Sequence, residues 1–188
     1  MKILLVNTYK NKDKIHVLQK FLSNFVDEMS IGDFSSDWNR FDSIIISGSE
    51  RLISDIEYPE PWFDFLRDVN KPVLGICYGM QLLSLAYGGV AEIGNMISGD
   101  RRIRILENKE ILKNLPQELY LPENHREKII GVSKYLEILA VSDDGIEAVK
   151  IHNKFMYGTQ FHFERSEKYG PTIIKNFLSI ASNQQIID

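Results

Sequence analysis

Residues 72–81 read Pro72-Val73-Leu74-Gly75-Ile76-Cys77-Tyr78-Gly79-Met80-Gln81, an apolar run that ends in a cysteine flanked by glycines. The segment Val73–Ile76 is typical of a buried β-strand, and Met80–Tyr87 has helical composition and ends at two glycines. Cys77 therefore lies at a turn between a strand and a helix. In open α/β sheets this is the edge where ligands bind, and a helix N-terminus there favours a thiolate.

The sequence on either side of this stretch predicts more strands and helices in alternation. Lys2–Val6 and Ser43–Ile46 are short apolar runs and predict two further buried strands. Helical spacing of apolar residues predicts a helix over Lys14–Phe25, with Asp13 as its cap. Pro61 fits the first turn of a second helix, through Val69. This order indicates a parallel sheet that helices cover on both faces.

The second half of the chain has a different pattern, in which short turns separate strand-like segments. Strands are predicted at Arg102–Leu106, Glu118–Leu121, Leu136–Val141, Ile146–Ile151 and Phe155–Gln160, and a closing helix at Pro171–Ser182. We therefore predict an α/β fold over residues 1–188, as one domain. Its sheet would be open and mainly parallel, with an antiparallel extension.

Composition excludes several classes of protein. Hydrophobic residues make up 44% and charged residues 26%, which is typical of a globular domain. A net charge of −4 argues against a nucleic-acid partner. No apolar run approaches the roughly 20 residues that span a bilayer, and no signal peptide is visible, so we expect a cytoplasmic protein without a membrane partner. A single cysteine excludes an internal disulfide and argues against a cysteine-based metal site.

A catalytic thiolate needs a base, and His162 is the best candidate among the four histidines. Residues i and i+2 of an extended segment point the same way, so Glu164 can orient the His162 ring. His16 and His152 are expected at the surface. Taken separately, Cys77 also fits a buried structural cysteine, and the His162–Glu164 pair fits an ion pair on an edge strand. Together they predict a Cys–His–Glu triad.

With this triad, the chain resembles the class I glutamine amidotransferases. The resemblance rests on Gly75-Ile76-Cys77-Tyr78-Gly79-Met80-Gln81 and Tyr157-Gly158-Thr159-Gln160-Phe161-His162-Phe163-Glu164, in the family's order and separation. The Tyr-Gly-Met-Gln tail looks like the glutaminases of GMP synthetases. Glu123-Asn124-His125-Arg126-Glu127-Lys128-Ile129 is similar to their Ser/Asn-His-x-Asp-x-Val segment. Ser47-Gly48-Ser49 follows a strand where the family has its Ser-Gly-Gly-Pro oxyanion loop.

The resemblance implies a specific reaction, without a cofactor or metal. Cys77 would attack the side-chain amide of glutamine, releasing ammonia and leaving a glutamyl thioester that is hydrolysed to glutamate. His162 would protonate the ammonia and then activate water, with Glu164 behind it. The backbone N–H groups of Ser49 and Tyr78 would bind the oxyanion. The substrate would be held by positions that match Gly48, Gln81, Arg126 and Glu127.

Three departures from the family pattern leave alternatives open. The loop reads Gly48-Ser49-Glu50 rather than Gly-Gly-Pro, and Phe163 replaces the proline of His-Pro-Glu. The family's Glu-x-Gly element is not clearly present before Arg104, since Glu92-Ile93-Gly94 comes early and Ser98-Gly99-Asp100 lies nearer the expected place. A free-standing hydrolase of another amide is therefore an alternative. A catalytically silent regulatory subunit of the same fold is another.

Ammonia is useful only when it reaches an acceptor, and residues up to Asp188 include no phosphate loop of the Gly-x-x-x-x-Gly-Lys type. The sequence thus predicts that the partner is a separate ATP-dependent synthetase subunit. By resemblance that partner aminates XMP to GMP and activates the glutaminase on docking.

Overall fold

A nine-stranded sheet runs through the residues that the structure describes, which are residues 1–55 and 60–184 of a computed structural model. Its strands are β1 (Lys2–Val6), β2 (Glu28–Gly32), β3 (Ser43–Ile46), β4 (Val73–Ile76), β5 (Val90–Ile105), β6 (Glu118–Gly131), β7 (Leu136–Val141), β8 (Ile146–Ile151) and β9 (Met156–Thr159). The helices are α1 (His16–Leu22), α2 (Glu60–Asp68), α3 (Tyr78–Ala86) and α4 (Gly170–Gln184).

The sheet has a parallel half and an antiparallel half. The strand order is β2-β1-β3-β4-β9-β8-β6-β5-β7, and the first five strands in that order are mutually parallel. The remaining pairs are antiparallel, and β7 also pairs with β8, so this half curls back on itself. The predicted α/β fold, with a mainly parallel sheet and an antiparallel extension, is confirmed.

Two apolar layers bury β1, β3 and β4 on both faces, which explains why these three strands read as short apolar runs. One layer contains α1 and α4, through residues such as Leu18 and Phe177, and the other contains α3, through residues such as Leu83. The carboxyl ends of β1, β3, β4 and β9 consequently lie side by side. Every loop that carries a predicted catalytic or oxyanion residue leaves the sheet at this edge.

Strand bounds agree best where the sequence is apolar, whereas several predictions of local structure were wrong or incomplete. The predicted bounds of β1, β3, β4, β7 and β8 are those observed. The first helix is shorter than predicted, because Lys12–Ile15 forms a 3₁₀ turn before α1. That turn is capped by the Asn11 side chain, which accepts from the Asp13 N–H, so Asp13 is not the cap. β2 was not predicted, and β5 and β6 are far longer than expected.

Candidate active site

Cys77 occupies a strained turn between β4 and α3. Its φ of 51° and ψ of −105° lie in a region that L-residues rarely adopt and that is commonly found at functional sites. Glycines permit the turn because α3 passes very close to the sheet. A Cβ on Gly75 would lie 2.5 Å from the Gly79 carbonyl carbon, and a Cβ on Gly79 would lie 2.6 Å from the Ile46 oxygen.

Helix α3 begins immediately after the cysteine. The Cys77 N–H donates to the Thr159 oxygen at 2.7 Å, and the Gln81 N–H donates to the Cys77 oxygen at 3.0 Å. The first N–H groups of a helix have no partner within the helix, so the Tyr78 N–H is free to bind an anion. The thiol is almost fully buried, with 2% of Cys77 exposed, and it lies at the positive end of α3.

His162 and Glu164 form a buried hydrogen-bonded pair, but not by the predicted geometry. The His162 Nδ1 lies 2.7 Å from Glu164 Oε1, and the side chains of both residues are at most 4% exposed. The segment is not extended, because Phe163–Arg165 forms a 3₁₀ turn that brings the carboxylate back to the ring. A carboxylate only accepts, so Nδ1 carries the hydrogen and Nε2 is left for proton transfer.

Charge stabilises the protonated form of this histidine. Burial by itself lowers the pKa of His162, but the negative charge of Glu164 and a hydrogen bond with the Cys77 thiol outweigh burial and raise it to about 10. At neutral pH the ring is therefore an imidazolium. A thiolate beside an imidazolium is the activated form of a cysteine nucleophile.

The loop Ser47–Ser49 lies against His162. A Cβ on Gly48 would lie 3.0 Å from His162 Cε1 and 3.6 Å from Cys77 Cβ, so only glycine fits without displacing the ring. The Gly48 carbonyl accepts from the Thr8 hydroxyl at 2.8 Å and from the Ser47 hydroxyl at 2.9 Å. These two bonds fix the Gly48–Ser49 peptide, and its N–H points away from the two hydroxyls.

The departures in this loop are accommodated without strain. Neither Gly48 nor Ser49 has a positive φ, so a serine needs no special backbone conformation here. The Ser49 hydroxyl donates to the Thr8 oxygen at 2.9 Å and accepts from the Arg51 N–H at 3.0 Å. Glu50 accepts from the Asn11 N–H at 2.9 Å and lies 3.9 Å from the Lys14 ammonium, so its charge is partly balanced.

The predicted substrate residues Gln81 and Glu127 are linked to each other. Gln81 Nε2 donates to the Glu127 backbone oxygen at 2.7 Å and to Gln160 Oε1 at 3.1 Å, which leaves only Oε1 of Gln81 for a ligand. The Glu127 carboxylate accepts from the backbone N–H groups of Ile53 and Ser54, at 2.9 Å for Ser54. Glu127 therefore connects the 3₁₀ turn Ile53–Asp55, which follows the loop Ser47–Ser49, to β6.

Several functional candidates were missed from the sequence. Tyr9 follows β1 and lines the same cleft as Cys77; burial, and secondarily the charge of Glu164, raises its pKa to about 12. Gln160 Nε2 lies 3.5 Å from Cys77 Sγ. Their positions just after β1 and β9 were the available signal, because carboxyl ends of neighbouring parallel strands meet at one edge.

A second buried histidine–glutamate pair was also missed. His125 Nε2 lies 2.8 Å from Glu123 Oε2, and His125 Nδ1 donates to the Glu127 oxygen at 2.8 Å. A third buried carboxyl group, that of Glu147 on β8, lies near Glu123. Desolvation by burial, and then repulsion from Glu123, raises the pKa of Glu147 well above its usual range. Alternation along β6 places Glu123, His125 and Glu127 on one buried face, which the period of two in the sequence indicates.

A cleft of about 400 Å³ brings most of the predicted site residues together. It is lined by Cys77, His162, Glu164, Ser49, Gln81, Arg126 and Glu127. Gly48 and Tyr78 do not line it, but Gly48 lies against His162 and Tyr78 directly follows Cys77. The residue of β5 that lines it is Met96, not a member of either Glu-x-Gly candidate. His16 and His152 are exposed, as predicted.

Two features are absent from residues 1–55 and 60–184. These ranges contain no group of three or more His, Cys, Asp or Glu side chains arranged to hold a metal ion. None of the helices described within them is long and apolar enough to cross a membrane.

A family model and several named proteins match the chain. A family model described as Glutamine amidotransferase class-I matches residues 12–181. The chain is 36% identical over 142 residues to the glutamine-hydrolyzing subunit of GMP synthase from Methanocaldococcus jannaschii, covering 73% of this chain and 72% of that protein. It is 37% identical over 142 residues to the protein of the same name from Methanococcus aeolicus, with the same coverage.

A solved structure shows a similar fold. It is a protein from Thermoplasma acidophilum, provisionally assigned to GMP synthase as one of its subunits. It superposes with a TM-score of 0.89 and 24% sequence identity, over 100% of this chain and 96% of that one.

Proposed function

The chain belongs to the class I glutamine amidotransferase family, and we therefore propose that it hydrolyses glutamine through a Cys77–His162–Glu164 triad. The ammonia passes to a separate synthetase subunit that aminates XMP to GMP. Residues 1–188 act as one glutaminase domain. One observation carries this proposal: a strained cysteine at a helix N-terminus shares a cleft with a buried, hydrogen-bonded histidine–glutamate pair.

In the first half of the reaction, the Cys77 thiolate attacks the side-chain carbonyl carbon of glutamine. A carbon–sulfur bond forms, and the electron pair of the carbonyl moves to its oxygen. When the tetrahedral intermediate collapses, the carbon–nitrogen bond breaks. His162 gives its Nε2 proton to the departing nitrogen, so that ammonia leaves and a glutamyl thioester remains on Cys77.

Two backbone N–H groups hold the oxyanion in this proposal. The Tyr78 N–H begins α3 and has the helix dipole behind it. The Ser49 N–H belongs to the peptide that the Thr8 and Ser47 hydroxyls fix through the Gly48 oxygen. Because that peptide is already fixed, the donor costs no reorganisation during the reaction. Losing one such donor typically costs about 3 kcal/mol of transition-state stabilisation.

In the second half of the reaction, water hydrolyses the thioester. The neutral His162 ring takes a proton from water as the oxygen attacks the thioester carbon. Collapse breaks the carbon–sulfur bond, glutamate leaves, and the thiolate and imidazolium are restored. Glu164 stabilises the imidazolium in both halves, since its carboxylate stays bonded to Nδ1.

The substrate is held by residues around the mouth of the cleft. Gln81 offers Oε1 as an acceptor, and Gly48 offers close backbone approach beside His162. Arg126 is exposed at the cleft and provides a cation for the substrate carboxylate, and the Glu127 backbone supports this wall. The relatives described as glutamine-hydrolyzing subunits of GMP synthase support glutamine as the donor and XMP amination as the coupled reaction.

The test is ammonia release from glutamine, measured with the wild type, Cys77→Ala and His162→Asn. Each is assayed alone and with an XMP-aminating synthetase, ATP and XMP. We expect release that requires both residues and that increases with the synthetase. His152→Asn is the matched control, because His152 is exposed and outside the cleft, and it should behave like the wild type.

Other outcomes would assign a different function. Ammonia release from another amide, but not from glutamine, would show that the other amide is the substrate. Equal release with and without the synthetase would remove the proposed partner. A folded wild type that releases no ammonia from any amide would identify a silent subunit.

A further inference from the structure

The buried side of the Cys77 sulfur is contacted by an amide group. Gln160 follows β9 and is 1% exposed, and its Nε2 lies 3.5 Å from Cys77 Sγ. The contact arises from the sheet, since Ile76 at the end of β4 pairs with Thr159 at the end of β9. The residues after these two positions, Cys77 and Gln160, are therefore neighbours at the same edge.

The hydrogen-bond network determines which end of the Gln160 amide faces the sulfur. The Glu127 backbone oxygen can only accept, so Gln81 must turn its NH₂ group towards it, at 2.7 Å. The same NH₂ group donates to Gln160 Oε1 at 3.1 Å. Because Gln160 Oε1 accepts from Gln81, the other end of the Gln160 amide, its NH₂ group, faces Cys77 Sγ. His125 Nδ1 also donates to the Glu127 backbone oxygen, and this second hydrogen bond fixes the position of the acceptor to which Gln81 donates.

We propose that Gln160 is a neutral hydrogen-bond donor to the Cys77 thiolate, and that Gln81 and the Glu127 carbonyl orient it. A donor stabilises a charged acceptor more than a neutral one, and it does so most strongly in a buried site. The amide therefore favours thiolate over thiol. The inference deepens the proposed function and rests on Cys77 being the nucleophile.

Gln160 acts differently from the other groups around the sulfur. His162 titrates, and it faces Cys77 from the loop after β9 with Glu164 behind it; Tyr9 faces it from the loop after β1. The N-terminus of α3 adds a dipole of fixed direction. An amide does not titrate and cannot take the proton from sulfur. It therefore supports the thiolate after each turnover, when the thioester carbon–sulfur bond breaks and charge returns to sulfur.

The test is the rate of Cys77 alkylation by iodoacetamide as a function of pH, because only the thiolate reacts. Gln160→Glu and Gln160→Met both remove the donor. Each should slow alkylation by about tenfold or more near neutral pH, since a hydrogen bond to a charged group contributes at least that factor. Alkylation should recover at high pH, so the midpoint of the profile moves upward.

Two more variants make the test specific. Gln81→Glu introduces a carboxylate that accepts from the Gln160 amide and turns its NH₂ group away from Sγ, so alkylation should slow although Gln160 is intact. Gln117→Glu is the matched control, because Gln117 is exposed and remote from the cleft. Its profile should coincide with that of the wild type. Coincident profiles for wild type, Gln160→Glu and Gln160→Met would overturn the proposal.

A second measurement needs no substitution at Gln160 or Gln81, so it tests the proposal even if those variants fail to fold. In the wild type, the side-chain NH₂ signals of Gln160 in ¹⁵N NMR should shift over the pH range in which Cys77 becomes reactive. In Cys77→Ala they should not. Signals that stay fixed in the wild type would overturn the proposal. The two proposals fail separately, because alkylation reports on Gln160 even if glutamine proves not to be the substrate.

Discussion

Replacing Gly48 by alanine is expected to slow glutamine hydrolysis about fivefold to tenfold while leaving the fold intact. The new Cβ would lie 3.0 Å from His162 Cε1, whereas ordinary contacts begin at 3.4 Å, so the ring must move by a few tenths of an ångström. Movement of the ring is opposed on two sides. The backbone N–H of His162 donates to the Pro122 oxygen at 2.8 Å, which fixes the main chain that carries the ring. The ring Nδ1 is hydrogen-bonded to Glu164 at 2.7 Å.

The size of this effect follows from the displacement. A catalytic group misplaced by about 1 Å costs on the order of 100-fold in rate. A displacement of the His162 ring by a few tenths of an ångström therefore predicts the smaller loss of rate, about fivefold to tenfold. Crowding should destabilise the fold by no more than about 2 kcal/mol, since one methyl group is added.

The assay is ammonia release at saturating glutamine, with unfolding measured in parallel. Gly131→Ala is the matched control, because a Cβ there meets Val90 at an ordinary 3.6 Å and Gly131 has no positive φ. We expect kcat to fall for Gly48→Ala and to stay unchanged for Gly131→Ala. An unchanged kcat for Gly48→Ala would refute the argument that the oxyanion loop fixes the position of His162.

Three further predictions concern the carboxylates and the histidine. Glu164→Gln should lower kcat by about 10³-fold or more, because the neutral amide no longer stabilises the imidazolium, whereas Glu167→Gln at an exposed position should not change it. The pKa of His162 is raised from 6.5 to about 10, so its contribution to stability is complete below pH 6.5 and is lost as the pH rises towards 10. In denaturant titrations, the difference in unfolding free energy between wild type and His162→Gln should therefore shrink between pH 6.5 and about 10, by at most about 1.4 kcal/mol per pH unit. A difference that stays constant over this range would contradict the raised pKa of His162. Glu127→Gln should destabilise the fold by about 1–3 kcal/mol, since the two backbone N–H groups bond to different carboxylate oxygens and the amide replaces one of these acceptors with a donor. Glu118→Gln, at an exposed ion pair, should cost about 1 kcal/mol or less. Equal costs would show that the buried contacts of Glu127 contribute little.

Strands β1, β3 and β4 of the parallel half were predictable because they are buried on both faces. Strands such as Ser43–Ile46 and Val73–Ile76 are continuous apolar runs, and their bounds are those observed. β2 was missed because Glu28–Gly32 is a short edge strand of mixed composition in which no residue is buried. β5 was underestimated because most of its residues are exposed and its few buried residues do not alternate regularly along the strand.

The candidate site was predictable where one short segment carries the chemistry. Cys77 and the His162–Glu164 pair were identified from local motifs, although the pair meets through a 3₁₀ turn rather than along a strand. Individual side-chain contacts between distant segments were not predicted, because strand ends indicate only which residues share an edge and not which side chains touch. Gln160 reaches Cys77 across 83 positions, and Gln81 reaches Glu127 across 46.

The most direct test of the account is to look for the glutamyl thioester on Cys77. Wild-type protein is mixed with glutamine, quenched rapidly in acid, and mapped by peptide mass spectrometry. We predict a glutamyl adduct on the peptide that contains Cys77, absent without glutamine and absent from Cys77→Ala. Ammonia release by Cys77→Ala at the wild-type rate, with no adduct on the wild type, would contradict the account.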